Sequence, residues 1–255
     1  MINQLRAELY KLKRNKTFWV LLFISLALSA LLHYLIMIDW WYVSDSVFID
    51  AGVGKLSALS AFTTPIFFNL FIGTLAAFFI SMEFSQSSVI KNQVMSGSKR
   101  RDIYISKYVI FTLGAIVITV IAPLLTGIVE VILLGHGDIL NGETLLFLTR
   151  AFGLYVLQLL GYTALVVLLA IWTGDSGKTI IFSIIFTIIM FVIELAPTIP
   201  VVSTIYQNSI FYQFSDVFRF TMESGDMVKS ILIGLITTVI IMIIGIMVFR
   251  KKEIK

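Results

Sequence analysis

The 255-residue chain has no cysteine, four prolines and two histidines, and only 13% of its residues are charged. Without cysteine it has no disulfide, thiolate metal ligand or cysteine nucleophile. The two histidines, His33 and His136, stand too far apart to define a metal-ligand spacing. No serine has a paired base in the sequence that would mark nucleophilic chemistry. The scarcity of charge excludes still more. Soluble domains are roughly 45–50% apolar and roughly 25% charged, whereas this chain is 58% hydrophobic with a mean hydropathy of +0.98. Its natural solvent is a bilayer. The net charge of +4 does not point to nucleic acid, because the basic residues fall in short clusters beside apolar runs rather than on one solvated face. Their place is the membrane surface.

What the chain does have is a series of long uncharged runs. They predict an all-α integral membrane protein forming one transmembrane domain, 1–255, with six spans at 17–38, 62–82, 106–134, 147–172, 178–197 and 228–249. About twenty apolar residues suffice to cross the hydrocarbon core as helix. Glu194 interrupts the fifth run, which Leu195 and Ala196 extend to Pro197. Pro123 removes a backbone donor inside the third, a loss that membrane helices tolerate when a neighbour supplies a partner. Fifteen of the nineteen lysines and arginines lie before span one, between spans two and three, between four and five, or after six. Short flanks rich in these residues stay in the cytoplasm, so both termini, including the tail 250–255, are expected there. The first run has the basic lead and small residues (Ala27, Ser29, Ala30) of a secretory signal, but apolar sequence continues from Leu31 to Ile38. It is expected to remain as a span.

Three segments between or beside the spans carry candidate chemistry. In 1–16, Ile2, Leu5, Leu9 and Leu12 recur at helical spacing, with Arg6, Lys11, Lys13 and Arg14 over the remaining surface. This predicts an interfacial helix with leucines in the acyl boundary and cations on anionic lipid; a bare topology signal is the alternative. In 83–105, Ser85 suits an N-cap, Val89, Ile90 and Val94 form an apolar strip, Gly97 suits a left-handed helix end and Ser98 the next cap. A plain connection needs only a few residues, so this length predicts a short cytoplasmic helix that docks a soluble partner, with a solvated basic loop as the alternative. Glu83 is expected to anchor it by pairing with Arg100 or Arg101. The third segment, TGDSGKT at 173–179, ends like a phosphate-binding loop, but Trp172 stands where that loop needs its first glycine. No ATP-binding motif remains, and Lys178 reads as a topology anchor.

At the other side, 39–55 and 136–146 read as polar connections. Segment 198–227 is too apolar for a free loop and too interrupted for a span. By its residues it reads as an interfacial aromatic belt of Tyr206, Phe211, Tyr212 and Phe214. Polar groups also fall within or near the runs: His33, Asn69, Glu130, Gln158 and Glu194. Asn69 and Gln158 suit hydrogen bonds between helices. Glu130 and Glu194 sit close to outer helix ends, where water reaches. Asn69, Glu130, Gln158, Glu194, Tyr206 and Phe211 are the candidate path or outer-gate residues, because ionisable and polar groups at membrane depth are costly without a role.

The order of elements, a basic N-terminal helix, six spans and both termini inside, resembles the permease subunits of ABC-2 type exporters. So do Glu83, the run Gly97-Ser98-Lys99-Arg100, Ile103 and Lys107, which stand where that family shows a glutamate, a turn and a lysine opening the third span. Ser87-Ser88 departs from the Gly-Thr pair often found there. The resemblance implies that Glu83, Ser85, Val89, Ile90, Val94, Gly97, Arg100 and Arg101 belong to a coupling helix seated in a cleft of an ATPase. It assigns Asp175 and Lys178 to a smaller second contact. For 198–227 it implies, in place of an aromatic belt, a re-entrant or lid-like outer element that packs down. It further implies two copies of a cytosolic ABC ATPase carrying ATP and Mg, a second permease chain in a homodimer or heterodimer, and no cofactor on this chain, which is itself no enzyme. The implied location is the bacterial plasma membrane, multi-pass. The implied cargo is membrane-active peptide or hydrophobic compound, as in exporters of bacitracin, lantibiotics or phenol-soluble modulins. An ion- or proton-coupled secondary transporter using Glu130 or Glu194 is the alternative; it needs a midplane acid and inverted repeats. An intramembrane enzyme would need paired catalytic residues that are missing at membrane depth.

Overall fold

A computed structural model describes residues 1–44, 46–85, 88–195 and 200–252. Asp45, Ser87, the end of the fifth span at Ala196 and Pro197, and Lys255 lie outside the described residues. Among the described residues every regular element is helical. Six helices are long and apolar enough to cross a bilayer: Lys16–Met37, Pro65–Ser85, Arg100–Leu133, Gly142–Thr173, Ser176–Leu195 and Ser224–Lys251. They are called spans one to six below.

Asn15 separates the N-terminal helix Ile2–Arg14 from span one: its extended backbone breaks the first helix, and its side chain accepts the Phe18 N–H to cap the second. The N-terminal helix lies against span three. Leu12 is buried on Gly114, where a Cβ would meet its methyl groups at 3.1 Å, and Leu5 packs on the same core. Ile2 and Leu9 stay exposed. Two of the four apolar residues expected in the acyl boundary therefore serve the protein interior, because a glycine on span three lets the helix approach.

Spans two and three each pass through a π turn, at Ala77–Ser81 and Val117–Ile121. In span three the Ala122 N–H reaches the Val117 carbonyl, so the next carbonyl, Ile118, faces Pro123, which has no N–H to offer. Ser25 of span one fills the gap, its Oγ donating to Ile118 O at 2.6 Å. Ser29 likewise donates to Pro123 O at 3.2 Å. His33, on the same face, donates to Ser29 O at 2.8 Å and rests against Gly127. Small residues on one helix and hydroxyls on the next hold this pair together.

Spans two and four form the centre, with 61% and 67% of their most apolar windows buried against 17% and 11% for spans five and six. Aliphatic side chains of the last two, such as Ile185, Ile189, Ile236 and Ile240, are exposed. Such surfaces are stable facing lipid tails. An aromatic cluster fills the middle: Phe68 of span two stacks edge-on against Tyr162 of span four at 5.1 Å and against Phe214 at 5.0 Å. Phe214 belongs to Ile210–Asp216, which follows the short helix Pro200–Gln207. Phe211, Phe214 and Phe218 are all buried, so this segment is packed down into the bundle and is not a belt of rings at headgroup depth.

Candidate functional site

The N-terminal helix, the described end of span six and two inter-span segments meet at one end of the bundle, the basic end. Its centre is a buried ion cluster. Lys107, at the start of span three, is fully buried and contacts Glu8 Oε2 at 3.2 Å and Glu83. Lys11 closes the group with contacts of 2.8 Å to Glu8 and 2.9 Å to Glu83. Gln93 of the short helix Ser88–Met95 donates to Glu8 at 3.4 Å. Two acids and two lysines thus tie together the N-terminal helix, the end of span two and the start of span three, and the amide brings in the intervening helix. Burial disfavours the charge on Glu8, but Lys107 and Lys11 outweigh it and hold the carboxyl below its usual range. Burial likewise opposes the charge on Lys11, which Glu8 and Glu83 more than restore, raising its pKa.

Glu83 therefore pairs with Lys11 and Lys107 rather than with Arg100 or Arg101. Arg100 turns the other way and donates to the last carbonyls of span six, at Phe249 (3.1 Å), Arg250 (2.8 Å) and Lys252 (2.7 Å). These carbonyls lack helical partners, so a guanidinium placed among them satisfies several at once. Arg101 is exposed.

The helix Ser88–Met95 ends as its glycine requires. Gly97 has φ +86°, its N–H meets Val94 O, and the Ser98 N–H reaches back to Gln93 O. Lys99, not Ser98, occupies the cap position of span three. The hydroxyl of Ser85 donates to Met82 O within the last turn of span two, and the residues between it and the following helix, where its expected cap falls, lie outside the described ones. The apolar strip faces inward. Ile90 is 1% exposed and Val94 packs on the same core, while Val89 is half-buried and Lys91, Asn92 and Met95 look outward, Met95 at 75% exposure. The strip expected to enter a partner is thus the seat of the helix on its own chain, because a one-sided helix of eight residues satisfies the nearest apolar surface first.

The segment 173–179 adjoins the same hub. Gly174, at φ +61°, ends span four, and Asp175 caps span five by accepting the Lys178 N–H at 2.8 Å. Ser176 donates to Ala77 O in the π turn of span two at 2.8 Å, and Thr179 bonds Ser81 at 2.7 Å. Lys252 donates to Ile171 and Trp172 carbonyls at the end of span four. The side chains of Asp175 and Lys178 are exposed. Residues 77–85 of span two therefore hold segment 173–179 through hydroxyls, and the N-terminal helix and the start of span three through Glu83.

At the far end of the bundle, Glu194, Tyr206 and Phe211 converge on a cavity of about 390 Å³ between the start of span two, span five and the packed-down segment. Asn69 lies beneath it, accepting from Tyr162 at 2.5 Å, and Tyr162 also contacts Thr187 of the cavity wall at 3.1 Å. Gln158 is elsewhere, donating to Ser230 O and Oγ of span six at 3.0 Å. Glu130 stands apart too, half-buried one turn before the end of span three. Sequence reasoning missed Glu8 and the burial of Lys107. The available signals were the single acid on an otherwise basic N-terminal helix and a lysine followed by more than twenty uncharged residues.

Six apolar helices, a hydroxyl- and glycine-mediated core and a buried ion cluster at one end define a multi-pass helical membrane protein. A family model described as ABC-2 family transporter protein matches residues 4–194. The chain belongs to that family, and with it to the membrane subunits, rather than the ATPases, of ABC transporters. Membership implies an ABC ATPase partner and another permease chain. No curated protein and no solved structure matches the chain.

Proposed function

We propose that this chain is the permease subunit of an ABC exporter that moves membrane-active peptides or hydrophobic compounds outward, powered by two copies of a separate cytosolic ATPase carrying ATP and Mg. The second half of the pore is another permease chain, identical or related. The observation that carries this is the hub at the basic end, where a short protruding helix is joined to spans two and three through the Glu8–Lys11–Glu83–Lys107 cluster. The basic flanks support a cytoplasmic position for that end. A helix seated on its own chain by Ile90 and tied by Gln93 to buried charges is a lever: force on its outer face reaches two membrane helices through the Glu8–Lys11–Glu83–Lys107 cluster. Closure of the ATPases on ATP supplies that force, and the bundle changes the side on which it opens.

Glu130 and Glu194 both stand within a turn of a far helix end, so a proton-coupled cycle through a midplane acid finds no support in their placement. The test is affinity purification of the chain from native membranes, with identification of the soluble proteins that accompany it. An ABC ATPase is expected, and its hydrolysis should rise in the presence of the permease. The purified chain alone in vesicles should move nothing; transport driven by a proton gradient in the absence of any ATPase would sink the proposal.

A further inference from the structure

The far-end cavity has a chemistry of its own. It holds about 390 Å³, and its wall combines the aromatic rings of Phe191, Tyr206, Phe211, Phe214 and Phe218 with serine and threonine hydroxyls. Most of its hydroxyls are already engaged. Ser46 and Ser60 bond each other at 2.9 Å, Thr63 and Thr64 both donate to Ser60 O, and Thr187 donates to Ser183 O at 2.9 Å. The one charged residue among the described lining residues is Glu194, which makes no ion pair with any described residue. Tyr206 stands beside it: burial, then the charge of Glu194 and a hydrogen bond to its carboxylate, push the phenol pKa up, so the ring stays neutral and leaves the Glu194 charge uncompensated.

A cavity that joins one carboxylate, without an ion-pair partner among the described residues, to several ring faces selects a positive charge on an apolar body. The carboxylate supplies charge, the ring faces add cation–π attraction, and the apolar walls bury the attached chain. An anion would meet Glu194 with no compensating cation, and a neutral amphiphile would leave the carboxylate unused. We propose that this cavity is a binding site for an organic ammonium ion attached to an apolar chain, with Glu194 as its counter-ion and Phe211 and Phe214 as its aromatic wall. As the substrate class of the exporter, the assignment rests on the permease reading above. As a binding site it stands without the ATPase. A lysine-bearing amphipathic molecule and the headgroup of an ammonium lipid share this chemistry.

The experiment measures binding of tritiated dodecyltrimethylammonium to the full chain in phosphatidylglycerol nanodiscs without ATPase. Saturable binding is expected, weakened about tenfold in Glu194→Gln, as loss of a charge-assisted contact implies, weakened also in Phe211→Ala, and unchanged in Glu130→Gln. Dodecanol should not compete. Repeating the comparison in phosphatidylcholine discs separates the two sources: the ratio of wild-type to Glu194→Gln affinity holds if a free amphiphile is the occupant and shrinks if the lipid headgroup already fills the cavity, and either supports a cation site. Equal affinity in wild type and Glu194→Gln, with both eluting as intact, monodisperse protein, overturns the assignment, as does equal competition by dodecanol. Neither result touches the exporter proposal, which fails only on absence of an ATPase partner or on ATPase-independent transport.

Discussion

Lys107 has no solvent and two acids. Removing one partner of a buried pair costs about 3–5 kcal/mol, because the charge left behind stays desolvated. Lys107→Met leaves Glu8 and Glu83 facing each other and should lower stability by about that amount, read as the unfolding midpoint in nanodiscs. Adding Glu8→Gln should return part of it; no gain from the second change would show that the two side chains are not energetically coupled. The cluster also sets a pH window. Glu8 is held below 4.5, so its stabilising contribution is complete above 4.5 and is lost as pH falls through the lower folded value. Lys11 is raised above 10.5, so its contribution is present below 10.5 and is lost as pH rises through the folded value. Unfolding midpoints of wild type and Lys11→Met should differ most between those limits and converge outside them.

At the scale of elements, hydroxyls and glycines do what long polar side chains do elsewhere. Ile118 O has no backbone donor because Pro123 follows the π turn, and Ser25 alone stands in. Ser25→Ala should cost about 1–3 kcal/mol, the penalty of a buried unsatisfied carbonyl, whereas Ser25→Thr should retain most of the bond; equal stability of Ser25→Ala and wild type would mean that the turn repacks. Gly245 of span six lies against the ring of Tyr104, where any Cβ would collide. The uncharged runs made the spans legible because a bilayer imposes a length on them, and Pro123 announced a missing donor. The inward turn of Ile90 was not legible, since a strip at helical spacing looks the same whether it meets its own chain or a partner. Nor was the pairing of Glu83 legible: Arg100 is nearer in sequence than Lys11, but helix geometry points Arg100 at the end of span six. Glu194, Tyr206 and Phe211 were marked in sequence as polar or aromatic groups out of place, but their convergence depends on the packed-down segment, which local pattern does not specify.

On the scale of the whole molecule, its direction in the membrane and its response to a partner can be separated by experiment. The absence of cysteine makes single replacements clean reporters. With the basic end inside, Met95→Cys should react with a membrane-impermeant maleimide only after lysis, and Glu223→Cys in intact cells; both positions are exposed. Coupling then turns on which face of Ser88–Met95 is changed. Lys91 and Met95 project outward and support none of the described residues, so Lys91→Glu with Met95→Asp should leave the unfolding midpoint unaltered while abolishing co-purification with the ATPase and its stimulation. Ile90 is buried, so Ile90→Asp places a carboxylate in an apolar seat and should lower the midpoint first, with loss of the ATPase as a consequence. A lever fixed on its inner face and loaded on its outer one requires this split. Full stimulation by the outer-face double variant would show that the force enters somewhere else, and the exposed loop at Asp175 and Lys178, joined to the same residues of span two, would be the place to look.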